Sequence, residues 1–246
     1  MSRFLPLERS TRHSPVWFVP YDEYAERVRT VGVTVRLDRF SDGGWLPLDD
    51  AAVRTPSAAI AYPGLGRHRA PAAIGPQRHR ARFTAAGYEP LYPADGRPFD
   101  AGLVGVEFLV HPYHDTETTG AGAPLPPIVP RLVRLLPSVS FPYPPGLRTA
   151  HGVVRDAVTR APIANALVEA RGQTSPDLTP WHERTLSDAS GAFRLALRWE
   201  GERTAADPVG ETFRLQATER PGRAGSLTVR LPQDAGSRHN IEIREQ

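Results

Sequence analysis

The chain has 246 residues with 30 basic and 27 acidic side chains, and its net charge of only +3 indicates a weak overall field that does not favour a nucleic-acid partner. It has no cysteine, which excludes disulfides and thiolate zinc sites. No stretch reaches the about 18 consecutive apolar residues of a membrane helix, and the first residues do not resemble a secretory signal, so we expect no membrane partner and a location in the cytoplasm or in a particle assembled there.

The N-terminal half has the pattern of short strands. In VGVTVRLDRF, Val33, Val35 and Leu37 alternate with polar residues, which is the period of two of a half-buried strand. Only the stretch 22–31 hints at a helix. The 26 prolines and 21 glycines suit strands that are joined by stiff turns. We therefore predict a β-rich domain over residues 1–116, for which no family resemblance is found.

An arginine-rich segment, residues 66–83, has no acidic residue between its arginines: Arg67, Arg69, Arg78, Arg80 and Arg82. Pro71, Gly75 and Pro76 interrupt it, and Phe83 at its end is its one aromatic residue. Nucleic-acid binding favours arginines on a rigid face beside aromatic rings. We therefore predict a solvated loop, with an acidic protein partner as the next alternative.

Residues 111 to 117 combine side chains that metal enzymes use: His111, His114, Asp115 and Glu117. The preceding residues alternate as a strand, so His111 and His114 are expected on opposite faces unless Pro112 bends the chain sharply. A metal-dependent enzyme that uses His111, His114 and Asp115 stays open as the third hypothesis. Our prediction is that the chain has no catalytic, cofactor-binding or metal-binding residues.

The next segment, residues 117–147, is rich in proline and yet apolar. Proline-rich stretches favour extended, semi-rigid conformations, whereas a flexible linker would be polar. We predict a stiff connector that packs on one of the two domains or on a neighbouring subunit.

The last hundred residues contain seven strand candidates: AHGVVRD, ANALVEA, ERTLSD, GAFRLALRW, ETFRLQATE, GSLTVRLP and HNIEIRE. In the fourth of them Phe193, Leu195, Leu197 and Trp199 share one face. Half-buried strands at this spacing favour a sandwich of immunoglobulin-like size over residues 148–246. The predicted fold class is all-β, with two β-sandwich domains joined by the proline-rich connector.

Residues spaced along this half form a familiar pattern: Gly152, Val154, Asp156, Thr159, Pro162, Ile163, Asn165, Ala166, Val168, Thr185, Leu186, Ser187, Asp188, Gly191 and Phe193. The pattern resembles the carboxypeptidase regulatory-like domain, a seven-stranded sandwich of the transthyretin-like group. Arg160 and Asn165 depart from it, since the family usually has glycine at the first position and commonly at the second. The resemblance implies a fold and is nearly silent about function, because such domains are added to many proteins.

Enzymes with similar sandwiches do not match this chain. Intradiol dioxygenases hold iron with two tyrosines and two histidines, but no tyrosine follows Tyr143. Hydroxyisourate hydrolases end in Tyr-Arg-Gly-Ser, whereas this chain ends in NIEIREQ. The match of HNIE to the zinc carboxypeptidase motif fails because His239 and Glu242 face opposite ways in a strand. There is also no G-x-S-x-G, phosphate-loop or H-E-x-x-H motif, so we predict that the protein is not an enzyme.

Our leading hypothesis is a structural or adaptor protein that docks onto other proteins, or onto copies of itself, in a larger assembly such as a phage-tail-like or contractile injection particle. The alternative is a carbohydrate- or surface-binding module that uses some of its four tryptophans: Trp17, Trp45, Trp181 and Trp199. Of these we expect Trp181 in a loop, where it could form a binding platform, and Trp199 in the core. We expect no small-molecule ligand otherwise.

Overall fold

The computed structural model describes residues 13–29, 31–68, 75–93, 96–114, 129–174, 177–204 and 207–246. All regular structure within these ranges is β-strand, which confirms the predicted all-β class, and these ranges contain no helix that could span a membrane. The strands are β1 (Trp17–Asp22), β2 (Arg27–Val28), β3 (Val33–Ser41), β4 (Gly44–Leu48), β5 (Val53–Arg54), β6 (Ile60–Ala61), β7 (Arg67–His68), β8 (Gln77–Ala85), β9 (Tyr88–Pro90), β10 (Val106–Val110), β11 (Tyr113–His114), β12 (Arg131–Pro137), β13 (Thr149–Asp156), β14 (Leu167–Gln173), β15 (Pro180–Leu186), β16 (Ala192–Ala196), β17 (Glu202–Thr204), β18 (Asp207–Arg220), β19 (Arg223–Leu231) and β20 (Arg238–Glu245).

Residues 22–29, the described part of the stretch 22–31 before its gap at residue 30, form a tight hairpin and not a helix. Asp22 Oδ1 accepts a hydrogen bond from Ala25 N at 2.9 Å, and the chain reverses between β1 and β2. Glu26 has a φ of 52°, which a right-handed helix does not contain. The polar side chain at the end of β1 therefore forms a turn where the sequence hinted at a helix.

The described strands form two large sheets and one small one. The first large sheet has the order β4-β3-β8-β9-β12-β1-β6-β5, with β10 paired to β8 and β2 paired to β1. The second has the order β15-β14-β18-β19-β20-β13-β16, with β17 paired to β18, and β11 pairs with β7 in the small sheet.

The chain forms two compact units, each built from separate stretches of sequence. The first comprises Met1–Val19, Val35–Arg82 and Val106–Leu132, and the second comprises Pro20–Thr34, Phe83–Gly105 and Val133–Gln246. The boundary therefore falls inside β1, β3, β8 and β12. The contiguous domains expected from the sequence, 1–116, 117–147 and 148–246, stay a prediction.

Aromatic side chains of β1, β8 and β10 build the core of the first unit. Phe18 lies edge-on to Phe108 with their ring centroids 5.7 Å apart, and both rings are buried. His79 stacks on Phe108 and is only 1% exposed. Burial lowers the pKa of His79, so the core holds the neutral imidazole.

In the second unit, residues from Thr149 onward form a β-sandwich around one core. One layer contains β16, β13 and β20, and the other contains β15, β14, β18 and β19. Two residue pairs between β19 and β20 join the layers at one corner. Val154 and Phe193 from the first layer meet Phe213 and Leu215 from the second. All seven strands predicted for this half are confirmed, and the exposed β17 is an additional one.

The described part of the proline-rich segment is packed. It contains β12, in which Leu135 and Leu136 are fully buried, and it continues into a loop that buries Phe141 and Tyr143. β12 pairs with β9, so this part of the segment belongs to a sheet. Residues 117–128 of the segment lie outside the described residues.

The turn after β13 shows why glycine suits two positions of the sequence pattern. Asp156 Oδ1 accepts hydrogen bonds from the backbone N–H groups of Val158 at 2.9 Å and Thr159 at 2.7 Å. Arg160 and Asn165 then have φ values of 61° and 56°, in the left-handed region. Glycine adopts this region freely and asparagine does so more readily than most residues, so Arg160 bears the greater conformational cost.

We expect Asn165→Ala to lower the free energy of unfolding by about 1 kcal/mol, because alanine tolerates a left-handed backbone less well than asparagine does. Asn165→Gly is the matched control and should equal or exceed the wild type. Urea denaturation followed by tryptophan fluorescence measures both. Equal losses in the two variants would show that this position requires the asparagine side chain and not the backbone conformation.

Candidate binding surface

Three arginines of β8 share the face of the first sheet that points away from the core. In QRHRARFTA the buried residues are His79, Ala81 and Phe83. Arg78, Arg80 and Arg82 alternate with them and therefore lie on the opposite face. The solvated loop predicted over 66–83 is therefore wrong for its described part, which includes β7 and most of β8. Its prolines and glycine precede Gln77, so they do not interrupt the strand.

A buried carboxylate on the neighbouring strand holds two of these arginines. Asp38 of β3 has a side chain that is 1% exposed, and its Oδ2 accepts hydrogen bonds from Arg80 Nε at 3.0 Å and Nη2 at 2.8 Å. Its Oδ1 accepts one from Arg82 Nη2 at 2.8 Å. Burial by itself would raise the pKa of Asp38, but the hydrogen bonds and charges of Arg82 and Arg80 outweigh it and hold this pKa below its usual value. Asp38 is therefore ionised at neutral pH.

Aromatic rings from two other strands lie beside the arginines. Phe40 of β3 and Trp45 of β4 meet edge to face with their centroids 5.3 Å apart. The guanidinium carbon of Arg78 lies 4.9 Å from the centre of the Phe40 ring, and that of Arg80 lies 4.5 Å from the centre of the Trp45 ring. These are cation–π distances, and they fix both guanidinium groups against the sheet.

We call this face the arginine–aromatic surface and define it by nine residues: Arg36, Asp38, Phe40, Trp45, Arg78, Arg80, Arg82, Glu107 and Leu109. Arg78 pairs with Glu107 at 2.8 Å, and both side chains are partly exposed. Arg36 is exposed and makes no ion pair with any residue that the structure describes. Leu109 leaves 54% of its surface exposed. Four arginines and two carboxylates leave a formal charge of +2 on this surface.

The sequence contained a signal for part of this surface. Asp42-Gly43 is a two-residue hairpin loop in which both φ values are positive, 51° and 79°. Such a loop places Ser41 opposite Gly44 and hence Phe40 opposite Trp45, as observed. No local signal indicated that β8 pairs beside this hairpin.

Asp38→Asn is expected to reduce the free energy of unfolding at about pH 7 by about 3 kcal/mol, because it leaves Arg80 and Arg82 without their buried counter-ion. The folded pKa of Asp38 lies below the unfolded value of about 3.9, so the ion-pair contribution is complete above that pH and disappears as the pH falls through the folded pKa. The difference between wild type and variant should therefore shrink below about pH 4. Urea denaturation over this range measures it, and a constant difference would contradict an ionic origin.

The histidine cluster yields no metal centre among the described residues. His111 is exposed after β10, and His114 lies in β11, which pairs in parallel with β7. Asp115 and Glu117 lie outside the described residues. Within the described ranges no group of three or more histidine, aspartate or glutamate side chains has the geometry to hold a metal ion. The metal hypothesis therefore gains no support from the geometry.

Two tryptophans differ from their predicted environments. Trp181 lies in β15 and is 8% exposed, packed in the sandwich core beside Phe213. A Cβ on Gly172 would lie 2.4 Å from its ring, so the opposite glycine makes room for the indole. Trp199 lies beyond the end of β16 and is 37% exposed. Trp181 is therefore a core residue and not a binding platform, and the predicted core position of Trp199 is wrong.

No family model and no curated protein matches this chain. Among solved structures, a streptococcal ancillary pilin aligns at 12% identity over 94% of this chain, with a TM-score of 0.29, and this chain covers 62% of its length. The shaft pilin SpaA from Lactobacillus rhamnosus GG aligns at 12% identity over 96% of this chain and 98% of that one, with a TM-score of 0.26. BcpA, the major pilin subunit of Bacillus cereus, aligns at 10% identity over 92% and 68%, with a TM-score of 0.27. Alignments this weak carry no argument about function.

Proposed function

We propose that this protein is a non-catalytic component that docks onto other proteins of a larger assembly, and that its arginine–aromatic surface binds an acidic segment of a partner protein. The observation that carries the proposal is the grouping of four arginines with Phe40 and Trp45 on one exposed face of a hydrogen-bonded sheet. Arginine and aromatic side chains are the residues most enriched at the energetic centres of protein interfaces.

Charge favours an acidic partner. The surface has a formal charge of +2, and Arg36 is exposed without a counter-ion among the described residues. Arg78 is 53% exposed and pairs with a partly exposed carboxylate, so a partner's carboxylate can reach both of these guanidinium groups. Because two copies of this surface would repel each other, it disfavours self-association through this face.

The arrangement favours protein over nucleic acid. Single-stranded nucleic acids bind aromatic residues by stacking bases on open ring faces. Here the guanidinium groups of Arg78 and Arg80 already cover ring faces of Phe40 and Trp45. Asp38 also neutralises part of the positive charge that a phosphate backbone would need.

A phage-tail-like or contractile injection particle is the specific assembly that we propose. Its support is an analogy, since transthyretin-like modules occur as extensions of spike and tail proteins. Two features support the proposed relation to carboxypeptidase regulatory-like domains. The C-terminal half is a sandwich, and Arg160 and Asn165 have the positive φ values that suit the glycines of that family. In this proposal the chain acts in a particle that is assembled in the cytoplasm.

Arg36→Glu and Arg78→Glu test the docking surface, because neither residue holds the buried Asp38. Arg39→Glu is the matched control for Arg36→Glu, since it makes the same charge change in the same strand on the opposite face. Fluorescence anisotropy measures the binding of a peptide rich in aspartate and glutamate. Affinity purification from extracts of the native host, with wild type and each variant as bait, identifies partners for direct binding assays.

The peptide and the identified partner should bind wild type and Arg39→Glu alike, with an affinity that falls as salt rises. Arg36→Glu and Arg78→Glu should each weaken both interactions by about tenfold. Equal weakening by Arg36→Glu and Arg39→Glu would reject the surface, as would tighter binding of an oligothymidylate than of the peptide. Tail or spike proteins among the direct partners would support the proposal that this protein belongs to a phage-tail-like or contractile injection particle. A direct partner of another kind would contradict it.

A further inference from the structure

A polar groove lies on the outer face of the C-terminal sandwich. Its volume is about 700 Å³, within the range of small-molecule sites. Outward-facing side chains of three neighbouring strands line it: Arg214 and Gln216 from β18, Ser226 from β19, and Asn240, Glu242 and Arg244 from β20. These residues alternate with core residues, so the strands hold their backbone positions.

The groove forms where β19 and β20 separate. The two strands pair at only two positions, Arg223 with Glu245 and Ala224 with Arg244. From there β20 pairs in parallel with β13, while β19 continues along β18. At the point of separation a Cβ on Gly225 would lie 2.1 Å from the backbone oxygen of Glu242. Glycine therefore allows the close approach that ends the groove.

The positive charges in the groove are not compensated by its carboxylates. Two glutamates line the groove: Glu242 forms an ion pair with Arg160, and Glu245 forms one with Arg220 at 3.1 Å. Arg214 and Arg244 are exposed and make no ion pair with any residue in the described ranges. Two guanidinium groups are thus available to an incoming anion. Neither contributes an ion pair to the fold, so a structural role does not explain them.

We propose that this groove binds a sugar that carries a carboxylate group, such as a uronic acid. The planar fork of a guanidinium matches the two oxygens of a carboxylate, so Arg214 and Arg244 bind the acid. Sugar hydroxyls donate and accept hydrogen bonds, as do the amides of Gln216 and Asn240 and the hydroxyl of Ser226. No aromatic or branched aliphatic side chain lines the groove, which disfavours an apolar ligand.

This inference is independent of the proposed docking function and differs from the sequence-based expectation that no small molecule binds. It also differs from the carbohydrate-binding hypothesis based on tryptophans, because recognition here depends on charge and hydrogen bonds. The residues responsible are far apart in the sequence and meet only because β18, β19 and β20 are neighbours.

Isothermal titration calorimetry of the full chain tests the site with digalacturonic acid, a neutral galactose disaccharide and inorganic phosphate as probes. Arg214→Ala and Arg244→Ala each remove one proposed carboxylate ligand. Arg230→Ala is the matched control, since it removes an exposed arginine of β19 that does not line the groove. Thermal unfolding checks that each variant is folded. Arg214→Lys is a further variant that keeps the positive charge but lacks the planar guanidinium group, which binds both oxygens of a carboxylate.

Digalacturonic acid should bind wild type and Arg230→Ala with a Kd of about 1 mM or below, and Arg214→Ala and Arg244→Ala should each weaken binding about tenfold. Arg214→Lys should retain part of the affinity. Absence of binding up to about 10 mM would overturn the proposal. Equal binding of the neutral disaccharide would overturn the role of the carboxylate. Phosphate binding as tight as that of the uronate would show a general oxyanion site and overturn the assignment to an acidic sugar.

Discussion

The carboxylate of Asp38 is the charge around which the exposed face of the first sheet is organised. A lone carboxylate with a side chain only 1% exposed would be costly, so its three hydrogen bonds from Arg80 and Arg82 are needed for it to stay ionised. These bonds fix Arg80, which then lies over Trp45. Because these side chains are already held in place, a partner that binds here would cause a smaller loss of side-chain conformational entropy.

The chain has no lysine, so arginine is the side chain that carries its permanent positive charge. Its arginines have different environments on the arginine–aromatic surface and in the groove. On the arginine–aromatic surface most guanidinium groups are already held by carboxylates or rings, which produces a fixed pattern suited to a large partner. In the groove of the sandwich Arg214 and Arg244 have no such partners among the described residues, which leaves their hydrogen-bonding capacity for a small anion. In our two proposals the same type of side chain therefore presents a fixed pattern to a protein in one place and binds a small ligand directly in the other.

Two errors in the sequence-based predictions arose where a residue's environment depends on a distant strand, and a third arose where a strand ends early. Trp181 was expected in a loop, but Gly172 on the paired strand leaves space for its ring in the core. Trp199 continued the apolar period of Phe193, Leu195 and Leu197, yet β16 ends at Ala196 and the period no longer applies beyond it. The segment 66–83 contains only one aromatic residue, Phe83, whereas Phe40 and Trp45 of other strands lie beside its arginines in the sheet.

The sequence by itself determined the all-β class, the seven predicted strands of the C-terminal half and the alternation of β3, because strand periodicity and turn chemistry are local. Even the pairing of Phe40 with Trp45 follows from the two-residue turn at Asp42-Gly43. Only the tertiary structure decided that β8 pairs beside β3, that Asp38 meets Arg80 and Arg82, and that β19 and β20 separate into a groove. These features depend on pairing between strands far apart in the chain, which no local pattern specifies.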